Sequence, residues 1–165
     1  MRAVLALLVT AFLAGCGFQL RGTATLPFET LYMPPASSPG VALDLRRNIL
    51  SGTRTKVVDD AKTADAVLEF SQETREKVIL SLAATGRVRE FQLRYRVGFR
   101  VHDGKGGEFV PSNVIVLTRD VTFNDSDVLA KESEEQLLYR DMQSDMVQQI
   151  MRRLSASARP RPAQQ

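Results

Sequence analysis

Cysteine and histidine occur once each, at Cys16 and His102, in a chain of 165 residues. A lone thiol cannot form an internal disulfide, so the fold has to be held by packing. The same scarcity works against metal and nucleophile chemistry. A zinc site needs clustered Cys or His ligands, and acyl transfer needs a nucleophile with a base in reach. His102 has no such neighbour in sequence and reads as a solvated residue at a strand end. There is no Gly-rich phosphate loop and no G-x-S-x-G, and Asp103-Gly104-Lys105-Gly106-Gly107 suits a hairpin turn better than a phosphate cradle. Glu132, Glu134 and Glu135 read as acids opening a helix, where they suit its dipole, rather than as a catalytic or metal-binding pair. No enzyme is expected. Charge of one sign is also lacking: 22 basic residues against 19 acidic ones, net +3, is too little for a nucleic-acid binder. Beyond the leader no long apolar run appears, and Val114 to Leu117 is only a strand's worth against the roughly 20 residues of a spanning helix.

What is present starts with that leader. Met1-Arg2 is a short positive start, Ala3 to Ala14 is almost wholly apolar, and Ala14 and Gly15 are small, which together predict a cleavable export signal over residues 1–15. Leu13-Ala14-Gly15-Cys16 resembles the bacterial lipobox, so Cys16 is expected to carry a thioether-linked diacylglycerol and an N-acyl chain such as palmitate. No other cofactor is expected. Each buried methylene contributes about 0.8 kcal/mol, and two lipid signals already give stable anchoring. Gly17 rather than Asp after the cysteine points to the outer membrane, with the protein facing the periplasm. Removing 15 of the 165 residues leaves 150, the size of one domain, and loss of Arg2 leaves 21 basic against 19 acidic residues.

Along the mature chain the apolar period changes twice. Glu29 to Met33 predicts a short strand stopped by Pro34-Pro35, and Val41 to Leu50 has helical spacing with Arg46-Arg47-Asn48 outward. Ala66, Leu68 and Phe70, then Val78, Leu80 and Leu82, keep one even-numbered phase, which predicts a long strand whose centre leaves the core. Phe91, Leu93, Tyr95, Val97, Phe99 and Val101 alternate with polar residues, and Phe109 to Phe123 returns antiparallel after a turn. Leu138, Met142, Met146, Ile150 and Leu154 place a long helix over Val128 to Leu154. The expected fold is α+β: two helices packed on one face of a mostly antiparallel four-stranded sheet, in a single domain over 16–154, with residues 155–165 a disordered tail.

The uncovered sheet face carries Arg94, Arg96 and Arg100, with Arg87 and Arg89 at the strand entrance. Guanidinium forks suit phosphate. The competing reading is a solvated face whose cations pair with Glu69, Glu73 or Asp120.

The join Cys16-Gly17-Phe18-Gln19-Leu20-Arg21-Gly22, Leu26-Pro27 before a short strand, Glu90-Phe91-Gln92-Leu93, and Leu129-Ala130-Lys131 leading into Leu138-Tyr139-Arg140-Asp141-Met142 resemble the LptE family of LPS-assembly lipoproteins. The resemblance runs from Cys16 to about Leu154. It implies a two-helix, four-stranded plug in the lumen of the outer-membrane barrel LptD, in a non-enzymatic, one-to-one complex that delivers lipopolysaccharide to the outer leaflet and helps the barrel assemble. It further implies lipopolysaccharide contact by basic residues near the second hairpin and at the start of the long helix. Lys131 matches the latter. In the hairpin Ala84 stands where the family has a basic residue, leaving Arg87, Arg89, Arg94 and Arg96 as the lipopolysaccharide-binding candidates; the plain alternative for Lys131 is an ion pair with Glu135 four residues on. Two other roles remain open at this point: a lipid-anchored module for another barrel-folding or cell-wall partner, and a lipid-anchored periplasmic enzyme.

Overall fold

The computed structural model describes residues 24–35, 40–123 and 128–157, with the side chain of Val128 excepted. Cys16, the leader and residues 158–165 lie outside the described residues. The order is β1 (Thr30–Tyr32), α1 (Val41–Gly52), β2 (Lys56–Val58), β3 (Ala66–Leu82), β4 (Val88–His102), β5 (Glu108–Thr122) and α2 (Val128–Ala156).

The sheet has five strands in the order β2-β1-β3-β4-β5, and it is mixed, not a four-stranded antiparallel sheet. β1 pairs parallel with both β2 and β3, while β3, β4 and β5 form an antiparallel meander. The parallel β1–β2 pair follows from α1, because a helix between two neighbouring strands returns the chain in the same direction. Lys56-Val57-Val58 is too short to show a period of two, which is why its strand has no sequence signature.

α1 turns Val41, Leu45 and Ile49 inward at a spacing of four and buries all three. It ends at Thr53, whose backbone N–H and hydroxyl both donate to the Ile49 carbonyl, at 3.1 and 2.8 Å. α2 does the same with Met142, Met146, Ile150 and Leu154, and runs two residues past the expected Leu154. Leu93, Tyr95, Val97, Phe99 and Val101 of β4 meet these helices and are each fully buried. Burying such a side chain contributes about 1.5–3 kcal/mol. Phe28 and Phe109 close one end of the core edge to face, with centroids 5.2 Å apart.

The β3–β4 ladder has register shifts at Phe70/Gln72, Ile79/Ser81 and Ser81/Leu82, and the first redirects β3. A register shift between Phe70 and Gln72 leaves Ser71 as an extra residue, and an extra residue exchanges the two faces of a strand. Before it, Leu68 and Phe70 pair with Val101 and Phe99 on the helix side; after it, Arg75, Lys77 and Ile79 pair with Tyr95, Leu93 and Phe91. The even-numbered apolar phase therefore does not persist in the core. Leu80 and Leu82 are 48% and 57% exposed near the hairpin tip. Gly98 lies opposite the bulge, where an added Cβ would fall 2.3 Å from Ser71 Oγ and 3.0 Å from Gln72 Cγ.

Candidate functional site

The face of the sheet away from the helices holds Gln72, Thr74 and Glu76 of β3, Gln92, Arg94, Arg96 and Arg100 of β4, and Val114, Val116, Thr118 and Asp120 of β5, by the alternation and register just described. Val114 and Val116 are both 48% exposed on this face. Arg94 Nε donates to Gln92 Oε1 at 2.8 Å, and Gln92 Nε2 donates to Asp120 Oδ1 at 2.9 Å. Arg96 lies 3.8 Å from Glu76, and its buried Nε has no hydrogen-bond partner among the described residues. Arg100 is bound to Glu69 at 2.6 Å, and its hydrogen bond, followed by that of His102, holds the Glu69 carboxyl below the usual range. His102 is more enclosed than a solvated strand end. Its Nδ1 accepts the Gly104 N–H at 3.0 Å and so anchors the β4–β5 turn.

The other basic candidates lie at the far end of the molecule. Residues 83–87 turn between β3 and β4 through Ala83 N–H to the Arg87 carbonyl at 2.8 Å, with Gly86 at φ 79. That left-handed position favours glycine. Arg87 and Arg89 are exposed beside it, next to Ile79, Leu80 and Leu82. The N-terminal half of α2 extends toward the same tip. Glu135 takes Lys77 Nζ at 2.6 Å, Tyr139 Oη donates to the Glu76 carbonyl at 2.9 Å, and Lys131 lies one turn further on. Lys131 pairs with Glu134 at 2.7 Å and not with Glu135, which Lys77 has taken. The structure thus places Lys131, Arg87 and Arg89 toward one end, and Arg94 and Arg96 on the open face.

Beneath the helices the bulge creates a polar bridge that the alternation of the sequence does not reveal. Arg75 Nη2 donates to Gln143 Oε1 at 2.6 Å and to Tyr95 Oη at 3.3 Å, and its guanidinium lies 4.8 Å from the Tyr95 ring centre and 5.4 Å from that of Tyr139. Gln143 Nε2 in turn donates to Asp44 Oδ2 of α1 at 2.5 Å. The bridge ties α1 and α2 to β3 and β4. Every member has a partner, although Arg75 itself stays exposed to solvent.

Among the described residues no three His, Cys, Asp or Glu side chains cluster as metal ligands. Among them also, no helix is long and apolar enough to cross a membrane.

A model of the LptE lipopolysaccharide-assembly family matches residues 28–154. LPS-assembly lipoprotein LptE of Pectobacterium atrosepticum is 34% identical over 158 residues, covering 91% of this chain and 80% of that protein. The Yersinia enterocolitica protein of the same name is 31% identical over 153 residues, covering 91% of this chain and 72% of that one. Among solved structures, lipoprotein B of Nitrosomonas europaea superposes with a TM-score of 0.73 at 45% identity, covering 85% of this chain and 91% of that one. The rare lipoprotein B of Shewanella oneidensis gives 0.64 at 27% identity, covering 74% and 91%. The chain belongs to the LptE lipopolysaccharide-assembly family.

Proposed function

We propose that this protein is an outer-membrane lipoprotein, held by lipid on Cys16, that works in lipopolysaccharide assembly as the plug of an LptD-type barrel. Its role is non-enzymatic. The observation that carries the reading is the uncovered sheet face, where Val114 and Val116 are half exposed beside Arg94 and Arg96. Such a mixed apolar and cationic surface suits the polar wall of a barrel lumen. The tip, with Lys131, Arg87 and Arg89 around exposed Leu80 and Leu82, then meets lipopolysaccharide, because phosphate takes charge-assisted bonds from guanidinium and ammonium groups beside apolar surface. The names of the relatives favour this role over a barrel-folding or cell-wall partner.

Pull-down of the tagged protein from detergent-solubilised outer membrane tests the reading. The expected result is a one-to-one complex with a barrel of high mass. Recovery of the protein without a barrel would overturn the plug.

A further inference from the structure

A cavity of about 370 Å³ opens at the end of the molecule where the described chain begins, lined by Thr25, Leu26, Phe28, Glu29, Arg54 and Lys56, with Thr30 and Thr55. Leu26 and Phe28 are buried and give it an apolar floor. Thr55 points inward, its hydroxyl donating to the Phe28 carbonyl at 3.0 Å, so the extended backbone turns Arg54 and Lys56 outward together. Both cations are exposed, and among the described residues neither side chain enters an ion pair or hydrogen bond. Glu29 is held in place by its backbone: its N–H donates to Asp65 at 3.2 Å and its carbonyl accepts the Lys56 N–H at 2.8 Å. Its carboxylate adds one negative charge to a pocket with two positive ones.

The chain outside the described residues supplies the second argument. Ala24 is eight residues after Cys16, a tether of at most roughly 28 Å. A lipid on Cys16 therefore keeps this pocket close to the headgroup layer. We propose that the pocket binds the headgroup of a zwitterionic phospholipid of the anchoring leaflet, with the phosphate on Arg54 and Lys56, the ammonium on Glu29 and the glycerol end over Leu26 and Phe28. It orients the domain on the membrane before a partner is engaged. The proposal rests on the anchor reading of Cys16 and not on lipopolysaccharide contact at the distant tip.

The test uses the mature chain with Cys16→Ala, titrated with glycerophosphoethanolamine, with glycerol 3-phosphate and with lipopolysaccharide, and read by amide chemical shifts. Saturable shifts confined to residues 25–30 and 54–56 are expected with glycerophosphoethanolamine. Paired Arg54→Ala and Lys56→Ala should weaken binding at least tenfold. Glu29→Gln should weaken binding of glycerophosphoethanolamine while leaving that of glycerol 3-phosphate equal or tighter. Equal loss for both ligands, or tighter binding of glycerol 3-phosphate to the unaltered chain, would reduce the pocket to a simple anion site and overturn the proposal. Absence of saturable shifts would overturn it too, as would lipopolysaccharide shifting these residues in preference to the tip. None of these outcomes bears on whether the barrel complex forms.

Discussion

Tyr95 Oη donates a 2.5 Å hydrogen bond to Glu73 Oε1, and the same carboxylate oxygen accepts the Val41 N–H at 3.4 Å at the head of α1. A carboxylate at a helix N-terminus is favoured by the helix dipole. One side chain of β3 therefore fixes both a core tyrosine and the start of a helix, and it faces that way only because of the bulge at Ser71.

Tyr95→Phe keeps the buried ring and removes the hydroxyl. A hydrogen bond to a charged group contributes about 1.5–3 kcal/mol, so urea unfolding should show a loss in that range, well below the loss for Tyr95→Ala. Burial first, then the bond to Glu73, pushes the Tyr95 hydroxyl well above its ordinary value. The sign follows: an upward shift means stability fully present below the unfolded value of about 10 and lost as pH rises beyond it. Tyr95→Phe should be less stable at neutral pH and lose less stability above pH about 10. Parallel alkaline limbs for the two proteins would contradict the assignment.

Phe99 and Arg100 are neighbours in sequence on opposite faces. Phe99 is fully buried, so Phe99→Ala should cost about 3–5 kcal/mol through the cavity left behind. Arg100→Ala breaks an exposed pair with Glu69 and should cost about 0–1 kcal/mol. The Glu69 carboxyl is held below its usual range, chiefly by Arg100, so the pair stabilises above the unfolded carboxyl value and the benefit fades as pH falls through the lowered one. The two variants should converge in urea midpoint only if the faces are misassigned.

Long-period patterns in the sequence identified the long meander and both helices, because β4 alternates without a break and α2 repeats every three to four residues. Two features were invisible for local reasons. β2 has three residues between Thr55 and Asp59, too few for any period, so the parallel half of the sheet leaves no signature in the sequence. Ser71 is one extra residue in a strand of 17, and apolar Leu80 and Leu82 made the old phase look continuous when they had moved to the hairpin tip. The same slip turned Arg75 and Lys77, both still exposed, toward partners on α2. For Lys131, partners at both i+3 and i+4 were available in sequence, and the choice of Glu134 was settled by Lys77 claiming Glu135 from a distant strand.

The bulge can be tested directly. Gly98→Ala should destabilise by about 1–3 kcal/mol, the usual cost of overpacking, because the new methyl meets Ser71 Oγ at 2.3 Å. Ser71→Gly should relieve much of that cost in the double variant. Additive effects in this double-mutant cycle would show that the two sites do not touch.

If Cys16 carries a lipid, that anchor should be separable from the fold. Cys16→Ala should leave an unlipidated protein, seen by mass spectrometry, while the unfolding midpoint of the domain stays unchanged because no disulfide is lost. An unmodified Cys16 in protein purified from membranes would remove the lipid attachment.

The separation of the basic residues yields the sharpest functional prediction. If the tip meets lipopolysaccharide and the open face meets the barrel, Lys131→Glu with Arg89→Glu should lower the affinity of the isolated protein for lipopolysaccharide and leave barrel co-purification intact. Arg94→Glu with Arg96→Glu should do the reverse. Lys131 loses its Glu134 partner in the first pair, and Arg96 loses its neighbour Glu76 in the second, so each variant must first be shown to unfold cooperatively. Affinity is then measured at two salt concentrations, since exposed charge contacts weaken as the Debye length shortens from about 10 Å at 0.1 M. A loss of lipopolysaccharide binding from the open-face pair, with the complex retained, would move the ligand from the tip to β4. Unchanged affinity and an intact complex in both would return all four residues to an ordinary solvated surface, where their ion pairs contribute little.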